Sequence, residues 1–197
     1  LVRYRNFYGT AHAYQTLELK VLMHGGTVHG VQMRDPRYEF IGATYFSPRS
    51  GIARAIMDRY LVHPDRTLNI GIIGLGVGAI SVYCGSGDKY VYYEIDPEIE
   101  KVAREHFSYL SRCQGVEVRT GDARILLEQE RRKGTPNNYD VLAMDAFNDD
   151  TIPVHLITKE AILLYLEHVQ NDGIIAIHTS NRLLDIAPVI VSTAEDL

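Results

Sequence analysis

The chain has 197 residues, 46% hydrophobic and 23% charged, which is the composition of a globular domain and excludes a disordered or fibrous chain. Lysine and arginine total 20 against 25 aspartates and glutamates, and the formal charge of −5 disfavours sequence-independent nucleic-acid binding, which rests on neutralising phosphates, while suiting a neutral or cationic ligand. The two cysteines, Cys84 and Cys113, are too few for a disulfide framework or a cysteine-rich zinc site and point to a reducing compartment.

The first residues, Leu1 to Asn6, carry no apolar core of a secretion signal. The longest uncharged stretch, Ile70 to Gly87, contains six glycines and falls short of the roughly 20 apolar residues of a membrane helix. The chain lacks an initiator methionine and stops in mid-pattern, which reads as a fragment of a longer protein.

Residues 1–47 read as a small antiparallel β unit. Thr16 to Leu22 alternates polar and apolar residues with period two, and Gly25-Gly26 can reverse the chain into Thr27 to Gln32. Pro48 to Tyr60 reads as an amphipathic helix that enters a second unit, residues 48–197. From Leu68 the pattern is strand, turn and helix, repeated. Strands are expected at Leu68–Ile73, Lys89–Glu94, Gly115–Arg119, Tyr139–Met144 and Ile174–His178. Helices are expected from Val77 to Tyr83, after Asp96-Pro97, and at Ala123–Arg132, Thr158–Val169 and Ile186–Ala194, with Asn171-Asp172-Gly173 as a turn. Alternating strands and helices imply an α/β fold with a five-stranded parallel sheet and right-handed crossovers.

In such a sheet ligands bind beyond the carboxyl ends of the strands. There the sequence places Gly74-Leu75-Gly76-Val77-Gly78, then Glu94-Ile95-Asp96, then Gly121-Asp122-Ala123, then Asp145. Glycines let a ligand approach the backbone. Glu94, 18 residues beyond Gly76, is placed to accept hydrogen bonds from both hydroxyls of a ribose. Asp122 can cap the helix that follows it, accept from an adenine amino group, or do both. The glycine run also satisfies the dinucleotide fingerprint. No Arg or Lys stands beside it to meet a pyrophosphate, so a nucleoside without phosphates fits better.

At these residues the sequence resembles the spermidine synthase family of polyamine aminopropyltransferases, within the Rossmann-like class I S-adenosylmethionine-dependent methyltransferase fold, and most of all its bacterial spermidine synthase-like members. The resemblance runs through Arg5-Asn6-Phe7-Tyr8-Gly9, His24 to Gly30, Gly74 to Gly78, Tyr93 to Pro97, Gly121 to Arg124 and Asp145-Ala146-Phe147. It implies a cytoplasmic transferase of polyamine biosynthesis with no tightly bound cofactor and no metal. Decarboxylated S-adenosylmethionine, or S-adenosylmethionine itself, would be the co-substrate and a small amine the partner. A homodimer and a fused membrane segment are further possibilities that the family offers. The fold normally ends with a sixth and a seventh strand, and the residues after Ile186 leave no length for them.

By the same resemblance Gly74, Gly76 and Gly78 pass under the nucleoside, Glu94 holds the ribose, and Asp122 and Ala123 the adenine. Asp145 would match the catalytic aspartate, Tyr45 an active-site tyrosine, and Asp145 to His155 a gate loop. Asp149 and Asp150 are candidates to hold ammonium groups, with an exposed acidic loop as the equal alternative. The chemistry is consistent. An alkylamine, protonated at neutral pH with a pKa near ~10.4, must lose a proton before it attacks carbon, and a carboxylate can accept it. Three positions depart from the family pattern. Val77 stands where an aspartate grips the aminopropyl amine, Asn148 replaces a second loop acid, and the usual Tyr-His/Gln-Glu run reads Tyr45-Phe46-Ser47. Aminopropyl transfer, methyl transfer and a non-catalytic nucleoside-binding module all stay open. His24 and His29 lack a third ligand at metal spacing. His155 and His178 fall near the carboxyl edge, where ordinary hydrogen-bonding roles are expected.

Overall fold

The computed structural model describes residues 2–43, 46–147, 152–180 and 185–197. An antiparallel sheet comes first, with β1 (Val2–Asn6), β2 (Gly9–Gln15), β3 (Leu19–His24) and β4 (Thr27–Met33) in sequence order. Two strands therefore precede the expected hairpin. Gly25-Gly26 reverses the chain as anticipated and pairs His24 with Thr27. The strand expected from Thr16 begins only at Leu19, because the Thr16 hydroxyl accepts from the N–H groups of Glu18 and Leu19 and closes a turn there.

The second sheet has five parallel strands in the order β7-β6-β5-β8-β9. They are β5 (Asn69–Ile73), β6 (Lys89–Glu94), β7 (Val116–Thr120), β8 (Tyr139–Met144) and β9 (Val169–Ile177). Both faces are covered, which is why the central strands read as near-continuous apolar runs. Ile70, Ile72, Tyr90 and Tyr92 point to one face, beneath α1 (Gly51–Val62) and α2 (Pro97–His106). Ile73, Val91, Tyr93 and Leu142 point to the other, beneath α3 (Ala123–Arg132) and α4 (Lys159–His168). A last helix, α5, runs from Ala187 to Glu195. Side chains cap the first four helices at Ser50, Asp96, Asp122 and Thr158.

Ala11, Ala13 and Leu22 of the antiparallel sheet share one apolar cluster with Ile70, Ile99 and Val102. The first sheet therefore packs against the parallel unit. Among the described residues no helix is long and apolar enough to cross a membrane.

Three local expectations are corrected. The helix expected at Val77–Tyr83 is a short 3-10 segment, Ala79–Tyr83. Past its end the Tyr60 hydroxyl lies 2.9 Å from the Tyr83 carbonyl oxygen, donates to the Asp88 carboxylate and accepts from the Gly85 N–H at 2.9 Å. Asn171-Asp172-Gly173 is not a free turn but lies inside β9, where the pairing with β8 shifts register. Arg59 donates to the Asp172 carbonyl at 2.5 Å, and His63 Nε2 lies 2.8 Å from its carboxylate. Finally, Cys84 and Cys113 form a disulfide, where their small number pointed to reduced thiols. It joins the ends of the 3-10 segments Ala79–Tyr83 and Tyr109–Arg112.

Candidate functional site

A cavity of about 370 Å³ opens beyond the carboxyl ends of the parallel strands. Gly74, Leu75 and Gly76 line it after β5. Glu94, Asp96, Asp122 and Asp145 reach it from the ends of β6, β7 and β8. The antiparallel sheet contributes Phe7, Tyr8, His24 and His29 as a further wall.

The strand ends hold these residues in register. Gly74 N–H donates to the Tyr93 carbonyl at 2.9 Å, Gly121 N–H to that of Glu94 at 2.8 Å, and Asp145 N–H to that of Ile73 at 2.8 Å. Gly74 has φ +97°, and a β-carbon there would meet the Asp145 carbonyl oxygen at 2.5 Å. Gly76 has φ +52°, and its β-carbon would meet the His29 carbonyl oxygen at 2.7 Å. Only glycine permits both the turn and the close approach of the two neighbouring segments.

Glu94 is buried. Its Oε2 accepts from the Leu75 N–H and its Oε1 from the Asp96 N–H, each at 2.9 Å. The carboxylate is thus fixed against the glycine turn by a backbone donor on each oxygen. Burial pushes its pKa up to about 7, against the pull of those backbone donors. Asp96 is used structurally. Its Oδ1 accepts from Asn6 Nδ2 at 2.7 Å and from the Glu98 N–H at 3.0 Å, which caps α2.

Asp122 caps α3 through Oδ1, which accepts from the Ile125 N–H at 3.0 Å. Its Oδ2 lies 2.9 Å from His155 Nε2. Arg124, two residues on, donates to the His155 carbonyl at 2.8 Å and fixes the segment that carries this histidine. Asp145 Oδ1 lies 2.6 Å from His178 Nδ1, and only 12% and 15% of the two side chains is exposed. Burial raises the Asp145 carboxyl above the ordinary aspartate range, and the hydrogen bond and charge of His178 oppose that shift.

Among the expected site residues, Gly74, Gly76, Glu94, Asp122, Ala123 and Asp145 line this one cavity. Gly78 does not. It sits under Leu110, whose side chain occupies the place a β-carbon would take. Tyr45, Asp149 and Asp150 lie outside the described residues. His155 and His178 have no specific partners in the sequence pattern, and the structure sets them on Asp122 and Asp145. The separations of 33 residues in both pairs left no local signal.

No family model matches the chain. Over 129 residues, 62% of its length, it is 34% identical to a polyamine aminopropyltransferase of Vibrio vulnificus, of which it covers 40%. Over 115 residues, 58% of its length, it is 30% identical to an N-terminal histidine N-methyltransferase of Emericella nidulans, of which it covers 20%. The chain therefore spans less than half the length of either curated relative. Among solved structures, a probable spermidine synthase from Corynebacterium glutamicum superposes with a TM-score of 0.71 at 18% identity, over 99% of this chain and 70% of that one. The chain is thus similar in sequence to a polyamine aminopropyltransferase and in fold to a spermidine synthase, with the class I methyltransferase architecture preceded by a small antiparallel sheet. Both curated relatives are transferases by name.

Proposed function

We propose that the cavity binds an S-adenosyl sulfonium compound and that the chain transfers the aminopropyl group of decarboxylated S-adenosylmethionine to a small amine. The observation that carries this reading is the charge of the cavity. Glu94, Asp96, Asp122 and Asp145 line it, and no Lys or Arg does among the described residues. Such a site suits a cationic donor and a cationic acceptor. Among the described residues no Lys or Arg is placed to meet a donor carboxylate, a group that the decarboxylated donor lacks.

Glu94 would accept from the ribose hydroxyls, Asp122 from the adenine amino group, and Gly74 to Gly76 would let the nucleoside lie on bare backbone. Asp145 would take the proton of the attacking amine. The nitrogen lone pair forms the new N–C bond to the methylene carbon beside the sulfonium. The C–S bond breaks with its electron pair going to sulfur, and a neutral thioether leaves. The amine proton ends on the Asp145 carboxylate. Leaving as a neutral thioether costs no charge separation, so the chain's work is to bind, orient and deprotonate.

Methyl transfer from S-adenosylmethionine is the second reading. Val77 favours it, because it is buried against Gly30 and offers no acid to an aminopropyl amine. The name of the fungal relative points the same way. Incubating the chain with each donor, labelled in its transferable group, and with a panel of mono-, di- and polyamines decides between them. Transfer of a three-carbon unit supports the first reading and transfer of methyl the second. Donor binding without transfer to any amine sinks both and leaves a binding module. Asp145→Asn is expected to lower turnover about 10²-fold or more at unchanged donor affinity.

A further inference from the structure

We propose that His178 is the positioning residue of the reaction, holding the Asp145 carboxylate at the cavity wall with one oxygen turned toward the acceptor amine. This rests on the role of Asp145 in the preceding reading.

The geometry follows from the sheet. Met144 and Ile177 are register partners in the parallel pair β8–β9, and Asp145 and His178 are the next residue of each strand. Their backbones are fixed by bonds from Asp145 N–H to the Ile73 carbonyl at 2.8 Å and from His178 N–H to the Met144 carbonyl at 3.0 Å. Neighbouring residues at one register step point to the same face, so the two side chains meet. Nδ1 and Oδ1 are 2.6 Å apart, the distance of a charge-assisted hydrogen bond. When Asp145 is ionised its carboxylate only accepts, and Nδ1 is then the donor. The Phe147 ring packs edge-on against the imidazole, with centroids 4.8 Å apart, and limits its rotation.

The pair also stands between two concavities. Asp145 lines the donor cavity, whereas His178 lines a separate groove with Ser47, Ser50, Thr179 and Ser180. His178 therefore approaches the carboxylate from behind. Its bond occupies Oδ1 and leaves Oδ2 for the amine proton.

Electrostatics adds the reason for such a partner. Tyr92 on β6 feels the Asp145 charge, and Glu94, Asp122 and His155 line the same cavity. Burial disfavours a negative Asp145, and His178 is the group whose hydrogen bond and charge favour it. His178 opposes the effect of burial at this carboxyl, and the pair is held by packed strands on both sides.

The test compares His178→Ala with His178→Asn, whose side-chain amide can place a donor where Nδ1 stands. The intact chain is used, with thermal melting to confirm folding. His178→Ala is expected to lower kcat about 10²-fold, the scale of a misplaced reacting group, with donor Kd unchanged. The acidic limb of its kcat/KM profile moves to higher pH. His178→Asn restores at least a tenth of the rate. A His178→Ala protein with unchanged kcat and an unmoved acidic limb overturns the proposal, as does equal loss in both variants. If the wild-type chain transfers no group from either donor, the preceding reading fails instead. The pair is then decided by carbon NMR of the Asp145 carboxyl, assigned with Asp145→Asn. A titration moved upward in His178→Ala supports the pairing, and an unmoved one overturns it.

Discussion

Asn6 donates from Nδ2 to Asp96 Oδ1 over 2.7 Å, although 90 positions separate them in sequence. Tyr4, on the same strand, donates to the other Asp96 oxygen at 3.3 Å. The Asp96 N–H in turn donates to Glu94 Oε1. The antiparallel sheet is thus fastened to the residue that fixes the buried carboxylate of the cavity. Pairing strands and filling a core do not require this link, since the apolar contacts of Ala11, Ala13 and Leu22 already bring the two units together. Its chemical consequence is the orientation of Glu94.

Removing the link should therefore be felt at the ligand as well as in stability. Asn6→Ala is expected to cost about 1–2 kcal/mol in urea denaturation, the scale of a partly buried hydrogen bond to a charged group. Adenosyl-donor affinity should fall several-fold by calorimetry. A variant that loses stability but binds donor as before would show that the sheet is only a support.

Glu94 gives the cavity a pH dependence of known sign. Burial lifts it to about 7, far above the ~4.3 of an exposed glutamate. A raised carboxyl binds a proton in the folded state that the unfolded state has lost. Its contribution to stability is full below about pH 4 and disappears as pH rises through about 7. Ligand binding has the opposite slope, because ribose hydroxyls donate to the ionised form. Donor affinity should rise between about pH 6 and 8, by no more than tenfold per unit, with proton release detectable by calorimetry in buffers of different ionisation enthalpy. Glu94→Gln should bind weakly, with no such slope. A flat profile in the unaltered chain would remove Glu94 from the ribose.

The parts of this arrangement that were legible in the sequence are those with a local signature. The apolar run at Ile70–Ile73, the Asp96-Pro97 start of α2 and the spacing of Glu94 from the glycines each reflect residues a few positions apart. The first two strands were less legible. In Gly9–Gln15 the buried positions are alanines, which give little apolar contrast and are small because the sheet packs closely there. Asn171-Asp172-Gly173 has the composition of a turn. Arg59 holds the Asp172 carbonyl from 113 positions away, at the register shift within β9. His178 and Asp145 illustrate the same limit, since parallel strands bring together residues whose separation is set by an intervening helix.

Val77 provides a packing test of the glycine loop. A β-carbon at Gly30 would collide with both Val77 methyl groups, so the two units interlock at this point. Gly30→Ala is expected to destabilise by about 1–3 kcal/mol, the cost of overpacking. In a double-mutant cycle Val77→Ala should recover most of that loss, because it vacates the volume that the new methyl needs. Additive losses in the double mutant would mean that the contact of Gly30 with Val77 is not what limits this site.

Asp122 and His155 set up competing effects of opposite sign. Asp122 Oδ1 is committed to the cap of α3, and Oδ2 to His155. An adenine amino group that donates to Asp122 must share or displace the imidazole. The His155 side chain is half exposed, so its bond is partly screened, and Arg124 keeps its backbone in place through the carbonyl rather than the ring. His155→Ala should therefore leave the fold intact and raise donor affinity about threefold or more, as a competing bond of about 1 kcal/mol is removed. Asp122→Ala should act the other way, weakening the donor and also costing about 1 kcal/mol through the lost cap. Asp122→Asn keeps a capping oxygen, so its stability should stay near that of the unaltered chain while its affinity falls. Calorimetric titration of the three variants separates the roles. A loss of affinity in His155→Ala would make the histidine part of the binding surface rather than a competitor for Asp122.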